Sequence, residues 1–99
     1  MFDFDVASGA ERYKIARFLD VYGGLLTEAQ KEALSLYFNE DLSLGEISDI
    51  KGISRQGVRS CIMQGIRALV RADEKLGFIE IIDKYEKEIE TLKRGNNGI

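Results

Sequence analysis

Side chains that can bind a nucleic acid are concentrated between residues 51 and 60 of the 99-residue chain. Arginine can donate two hydrogen bonds to the O6 and N7 atoms of guanine, and glutamine can bind the N6 and N7 atoms of adenine. A serine at the start of a helix leaves free backbone N–H groups that suit a phosphate. We predict a nucleic-acid-binding set here, formed by Lys51, Ser54, Arg55, Gln56, Arg59 and Ser60. Within this set, we expect the arginines and the glutamine to contact base edges, and Lys51 and Ser54 to contact phosphates.

The charges along the chain support a local rather than a global preference for an anionic partner. The net charge is −3, which by itself does not favour nucleic acid. Residues 51–71, however, carry five basic side chains and no acidic one, whereas residues 1–50 carry four basic and ten acidic side chains. Because local positive potential steers an anionic ligand, this basic island is typical of a nucleic-acid-binding surface.

The elements around this set are predicted to be helices. The chain has no proline, so long helices can form without interruption. Apolar residues recur at helical spacing in five segments, which cover about residues 9–22, 27–39, 43–51, 54–76 and 78–94. Thr27 with Gln30, and Ser43 with Glu46, have the capping-box form that marks a helix start. The sequence therefore predicts an all-α fold of about five helices with a long C-terminal helix.

The third predicted helix and the start of the fourth have the pattern of a helix-turn-helix over residues 43–62. Such a unit needs a small residue where its helices cross, which Ser48 supplies, and a turn residue that accepts a left-handed backbone, which Gly52 supplies. Apolar residues must then hold the two helices together, and those at suitable spacing are Ile47, Ile50, Ile53, Val58 and Ile62. We predict a flexible acidic N-terminus over 1–8, a helix-turn-helix domain over 9–76, an amphipathic helix over 77–94 and a frayed tail over 95–99.

Two features have alternative interpretations. The helix-turn-helix could bind nucleic acid, or it could be a scaffold within a protein-binding domain. The last helix carries apolar residues at heptad spacing, which pack either on the same domain or on a second copy of the chain. As candidates for a homodimer interface we take Phe78, Ile82, Tyr85, Ile89 and Leu92.

The composition argues against an enzyme, a cofactor and a metal site. The chain has no histidine and one cysteine, Cys61, so it lacks imidazole catalysis and the usual structural zinc ligands. We expect Asp3 and Asp5 to belong to a mobile acidic tail rather than to a metal site. No apolar run is long enough to span a membrane, and the acidic start does not resemble a secretory signal. We therefore expect a cytoplasmic protein without a membrane partner.

Two related families share these motifs. Residues 26–71 resemble region 4 of bacterial sigma factors, the helix-turn-helix that reads a promoter element. Residues 12–94 are still more similar to the YlxM family, through "DLSLGEI" at 41–47 and "SRQ" at 54–56. Gly57 departs from that family, which usually has alanine there, and Arg59 makes this chain more basic and more similar to the sigma factors.

The resemblance to these families implies a fold and a set of partners. The fold would be a helix-turn-helix of the sigma region 4 or winged-helix-like type. The genes of the YlxM family lie beside those for signal recognition particle components, and the resemblance to its helix-turn-helix implies DNA binding. The resemblance thus implies a regulatory role with DNA, or an accessory role with the RNA or the GTPase of the signal recognition particle.

Overall fold

The computed structural model describes residues 3–97 and contains five α-helices. They are α1 (Gly9–Tyr22), α2 (Glu28–Leu34), α3 (Leu44–Lys51), α4 (Arg55–Leu76) and α5 (Phe78–Asn97). A 3₁₀ turn precedes α1 at Phe4–Val6, another follows it at Gly23–Leu25, and a π-helical turn at Ser35–Asn39 extends α2. No β-strand occurs among the described residues. The predicted all-α fold with a long C-terminal helix is confirmed.

Polar side chains begin the first three helices, and the sequence predicts the starts of α2 and α3. The Ser43 hydroxyl accepts a hydrogen bond from the Glu46 N–H at 3.1 Å, and the Glu46 carboxylate accepts one from the Ser43 N–H at 3.0 Å. This bond from the Ser43 backbone lowers the pKa of Glu46 below its ordinary value. Thr27 and Gln30 form the same reciprocal pair at the start of α2. Ser8 adds a third capping box at α1, which the sequence reading did not predict.

Helix α4 forms the centre of the domain, because α1, α2 and α3 all pack against it. The side chains that are almost completely withdrawn from solvent are Phe4, Ala33, Leu34, Ile47, Val58, Ile62 and Leu69. Gly65 lies where α4 crosses α2, and a Cβ at this position would be 2.5 Å from Cδ1 of Leu34. The missing side chain therefore allows the two helices to approach closely.

The first turns of α5 attach this helix to the rest of the domain. The Tyr22 hydroxyl donates a hydrogen bond to Asp73 at 2.6 Å and accepts one from the Phe78 N–H at 2.9 Å. Burial, followed by the hydrogen bond to Asp73, raises the pKa of Tyr22 above its ordinary value. Arg17 of α1 pairs with Asp83 at 2.7 Å and with Glu86 at 3.4 Å.

The remainder of α5 extends away from the domain with its apolar side chains exposed. Tyr85, Ile89 and Leu92 are all more than half exposed. The helix continues to Asn97, so the predicted end at residue 94 is too early. Residues 98 and 99, part of the predicted frayed tail, lie outside the described residues. None of the described helices combines the length and the apolar character needed to cross a membrane.

The N-terminal segment differs from the expected mobile tail over the residues that the structure describes. Phe4 has no exposed surface, and its ring meets the edges of Tyr37 and Phe38 with centroid distances of 5.1 and 6.3 Å. The physical reason is that the 3₁₀ turn directs the Phe4 ring into a gap beside α4. The other residues of the turn stay at the surface. Val6, for example, remains 79% exposed.

Candidate nucleic-acid interface

The connection between α3 and α4 has the geometry of a tight helix-turn-helix turn. Gly52 ends α3 in the left-handed conformation, with φ +69° and ψ +29°. The Ser48 hydroxyl donates a hydrogen bond to the Ile53 carbonyl across the turn. The Ser54 hydroxyl then caps α4 by accepting a hydrogen bond from the Gly57 N–H at 2.9 Å. The turn therefore ends α3 and presents the first turn of α4 at the surface.

Only part of the predicted apolar contact between these two helices is present. Ile47, Val58 and Ile62 are completely buried. Ile50 is 59% exposed and Ile53 is 41% exposed, so the prediction that they hold the helices together is wrong. Both residues lie close to Gly52, whose left-handed backbone changes the direction of the chain. The helical spacing that would have turned them toward the core therefore does not continue through this turn. The close contact of α3 and α4 thus depends on the three buried residues.

Arg55, Gln56 and Ser60 lie together on the exposed start of α4, as predicted. The Arg55 guanidinium lies across α3 at Gly45, where a Cβ would be 3.0 Å from its Nη2 atom. Among residues 3–97, the structure shows no carboxylate within ion-pair distance of Arg55. The guanidinium therefore lies against α3 at Gly45, and its N–H donors remain available to a ligand.

Arg59 lies on the next turn of α4, and two acidic side chains occupy its guanidinium. Nη2 lies 2.9 Å from the Asp3 carboxylate, and Nη1 pairs with the Asp5 carboxylate. The same guanidinium lies over the Phe4 ring, 5.0 Å from its centroid. The Arg59 side chain is 32% exposed as a result. Arg59 is thus at the predicted surface but is already paired within the chain.

Lys51 is not brought together with the other predicted residues. Its Nζ atom lies 3.3 Å from a carboxylate oxygen of Glu32 on α2, and its side chain is only 11% exposed. The lysine therefore joins α3 to α2, and a phosphate would have to compete with Glu32 for it. Ser54 is exposed, but its hydroxyl is used by the cap, so only the free backbone N–H groups in the first turn of α4 could donate to a phosphate there.

The sequence reading missed the part that residues 3–5 play at this surface. Asp3 caps the 3₁₀ turn by accepting a hydrogen bond from the Asp5 N–H at 3.1 Å, and Asp5 in turn accepts one from the Tyr37 hydroxyl at 3.1 Å. The available signal was Phe4, a large apolar residue in an otherwise acidic stretch. A single aromatic residue has no periodicity, so the pattern did not show that it is buried.

Comparison with known proteins identifies the family. A family described as "Putative helix-turn-helix protein, YlxM / p13 like" matches residues 10–97. The chain belongs to this family. It is 46% identical over 82 residues to a "UPF0122 protein" of Acetivibrio thermocellus, covering 82% of this chain and 70% of that one. A "UPF0122 protein" of Clostridium kluyveri is 42% identical over 85 residues, covering 86% and 73%. Another, from Clostridium perfringens, is 45% identical over 81 residues, covering 82% and 72%.

Membership of the YlxM family agrees with the geometry of the α3–α4 unit. The match extends from the second residue of α1 to the end of α5, so it includes the complete helix-turn-helix and the long last helix. The resemblance to the YlxM family noted in the sequence is confirmed. The family is described by its helix-turn-helix and not by a catalytic activity.

Proposed function

We propose that this YlxM-family chain is a cytoplasmic regulatory protein that binds nucleic acid, preferably DNA, through the start of α4. The observation that carries the proposal is the exposed guanidinium of Arg55, which the α3–α4 turn and Gly45 hold at the surface. In a helix-turn-helix, the N-terminal residues of the second helix enter the major groove. Gln56 and Ser60 share this exposed edge, and both can hydrogen-bond to bases.

The electrostatics of α4 support the same proposal. Its residues 55–71 contain four arginines and no acidic residue, and Arg55, Arg67 and Arg71 are exposed, so this part of the helix adds positive charge to the surface of an acidic protein. The free N–H groups of its first turn, together with the helix dipole, favour an anion at the same end. The proposed contact therefore combines a base-reading edge with a phosphate-binding helix start.

The test is a fluorescence-anisotropy titration of labelled random-sequence duplex DNA and of signal recognition particle RNA, each at two salt concentrations. We expect binding that weakens steeply with salt, because neutralised phosphates release counterions. Arg55→Ala should weaken binding and reduce the salt slope by about 1 if the guanidinium contacts a phosphate. On a selected target with a bidentate base contact, the loss should be about 1–3 kcal/mol.

The matched control is Arg94→Ala, which removes the same charge from an exposed position on α5. This variant should bind like the unmodified protein if the contact is local to α4. Equal losses for the two arginine variants would mean that only net charge matters, and unchanged binding of Arg55→Ala would refute the proposed interface.

A second candidate function is a protein-binding accessory factor of the signal recognition particle, in which the helix-turn-helix is a scaffold. The observation in its favour is an exposed acidic surface on and after α2, formed by Glu28, Glu32, Glu40 and Asp41. This function predicts that the chain co-purifies with the GTPase of the particle when Arg55 and Arg59 are both neutralised. Loss of co-purification after nuclease treatment would favour an RNA contact instead.

We also propose that α5 supplies a homodimer interface, because helix-turn-helix proteins often read two half-sites as symmetric pairs. Phe78, Tyr85, Ile89 and Leu92 are all exposed, and Ile82 is half-buried. Light scattering after size exclusion should show a dimer that Ile89→Glu dissociates. A monomer at all concentrations would exclude this interface.

A further inference from the structure

Residues 3–5 form a small ordered unit against α4, which we call the acidic clasp. The Asp3 carboxylate caps the 3₁₀ turn and pairs with Arg59, and the Asp5 carboxylate pairs with the other terminal nitrogen of the same guanidinium. The two carboxylates therefore take up both ends of the guanidinium fork. This arrangement resembles the bidentate pairing by which arginine binds a phosphate.

The clasp is fixed by burial as well as by charge. Phe4 lies between the two aspartates and has no exposed surface. Its ring packs against Tyr37, and the Tyr37 hydroxyl donates a hydrogen bond to Asp5 at 3.1 Å. Because the buried Phe4 ring already orders the turn, the backbone loses little further conformational entropy when both carboxylates pair with Arg59.

We propose that the acidic clasp is an autoinhibitory contact that withholds Arg59 from nucleic acid. This inference rests on the proposed function of α4. The N–H groups on Nη1 and Nη2 of Arg59 that bind the clasp carboxylates are not available to a phosphate or a guanine while the clasp is closed. The clasp also places two negative charges beside the edge that carries Arg55, which lowers the local potential for an anionic ligand. Nucleic acid binds this surface fully only when the clasp opens.

The size of the inhibition follows from the strength of the ion pairs. A partly exposed ion pair shifts an equilibrium by up to about fivefold, so two pairs together shift it by up to about thirtyfold. A protein whose competent state is populated to only a small fraction loses apparent affinity by that fraction. We therefore expect the clasp to weaken binding by up to about thirtyfold at low salt, and by less at high salt because the pairs are screened.

The test compares two double variants of the full chain with the same labelled random-sequence duplex DNA. Asp3→Asn/Asp5→Asn removes the clasp charges and keeps Phe4. The matched control is Asp83→Asn/Glu86→Gln, because that pair also places two acidic side chains on one arginine, Arg17, but away from α4. Both variants change the net charge equally, so only a local effect of the clasp can separate them.

We expect the clasp variant to bind more tightly than the unmodified protein, by more than about twofold and by up to about thirtyfold, and the control variant to bind within about twofold of it. In an Arg59→Ala background the clasp substitutions should tighten binding by less than they do when Arg59 is present, because only their effect on the local potential remains. Phe4→Ala, which removes the anchor and keeps both charges, should also tighten binding. Equal tightening by the two double variants, or no tightening by the clasp variant, would overturn the proposal.

The outcomes also separate this proposal from the proposed function. Binding that depends on Arg55 but is indifferent to the clasp would overturn the clasp alone. An unmodified protein that fails to bind, beside a clasp variant that binds, would support both. Failure of every variant to bind duplex DNA would overturn both the DNA-binding function and the inhibitory role of the clasp.

Discussion

Replacing Phe4 with alanine should destabilise the whole domain, although the residue lies near the start of the chain. Burial of a phenylalanine side chain contributes about 1.5–3 kcal/mol, and its edge contacts with Tyr37 and Phe38 add about 0.5–1.5 kcal/mol. Truncation of a phenylalanine in a closed core usually costs about 3–5 kcal/mol, because a cavity remains. Here the segment can detach, so no closed cavity remains and only the burial and the edge contacts are lost. We therefore expect Phe4→Ala to lower the free energy of unfolding by about 2–3 kcal/mol.

The assay is urea denaturation followed by far-UV circular dichroism, with the midpoint and the slope fitted together. Phe4→Ala should move the midpoint to lower urea, whereas Val6→Ala should change stability by less than about 0.5 kcal/mol, because Val6 is 79% exposed. The two substitutions lie in the same 3₁₀ turn, so the difference isolates burial. A Phe4→Ala midpoint equal to that of the unmodified protein would refute the reasoning that this ring belongs to the core.

Substitutions at three further positions test other features of the fold. Gly65→Ala should lower the free energy of unfolding by about 1–3 kcal/mol in the same urea assay, because the new methyl group meets buried Leu34; a neutral result would mean that the helix crossing is loose. Gly52→Ala should cost about 1–2 kcal/mol owing to the positive φ, and Gly52→Asn should cost less; equal costs would exclude a conformational cause. Tyr22 has a raised pKa when folded, so the protein should lose stability as the pH rises above about 10. The melting temperature of Tyr22→Phe should fall less over that pH range, because this variant has no hydroxyl to ionise. An equal fall in both proteins would contradict a raised pKa of Tyr22 in the folded state.

The helix boundaries of the α3–α4 unit could be predicted because their causes are local. A capping serine accepts a hydrogen bond from the backbone N–H three residues later, and a terminal glycine takes a positive φ. Both effects act within a single turn of the chain. Ser43, Ser54 and Gly52 therefore have the predicted roles. The candidate edge formed by Arg55, Gln56 and Ser60 follows directly from where α4 begins.

The side chains whose placement depends on distant elements could not be predicted in the same way. The burial of Lys51 against Glu32 requires knowledge of how α3 packs on α2, which no local spacing contains. The helical spacing of Ile50 predicted burial, but this residue lies after the last buried turn of α3 and is exposed. The pairing of Arg59 with Asp3 joins residues that are 56 positions apart, and only the folded chain shows it.

The contact between Arg55 and Gly45 has a consequence for how a family of this kind can diversify. Because a methyl group at residue 45 would lie within 3.0–3.2 Å of the guanidinium, any larger residue there must lift or redirect the arginine. The direction of the Arg55 side chain at the proposed interface is thus controlled by a position on the preceding helix. If the start of α4 binds nucleic acid as proposed, one substitution in α3 would alter the preferred target while Arg55, Gln56 and Ser60 are all kept.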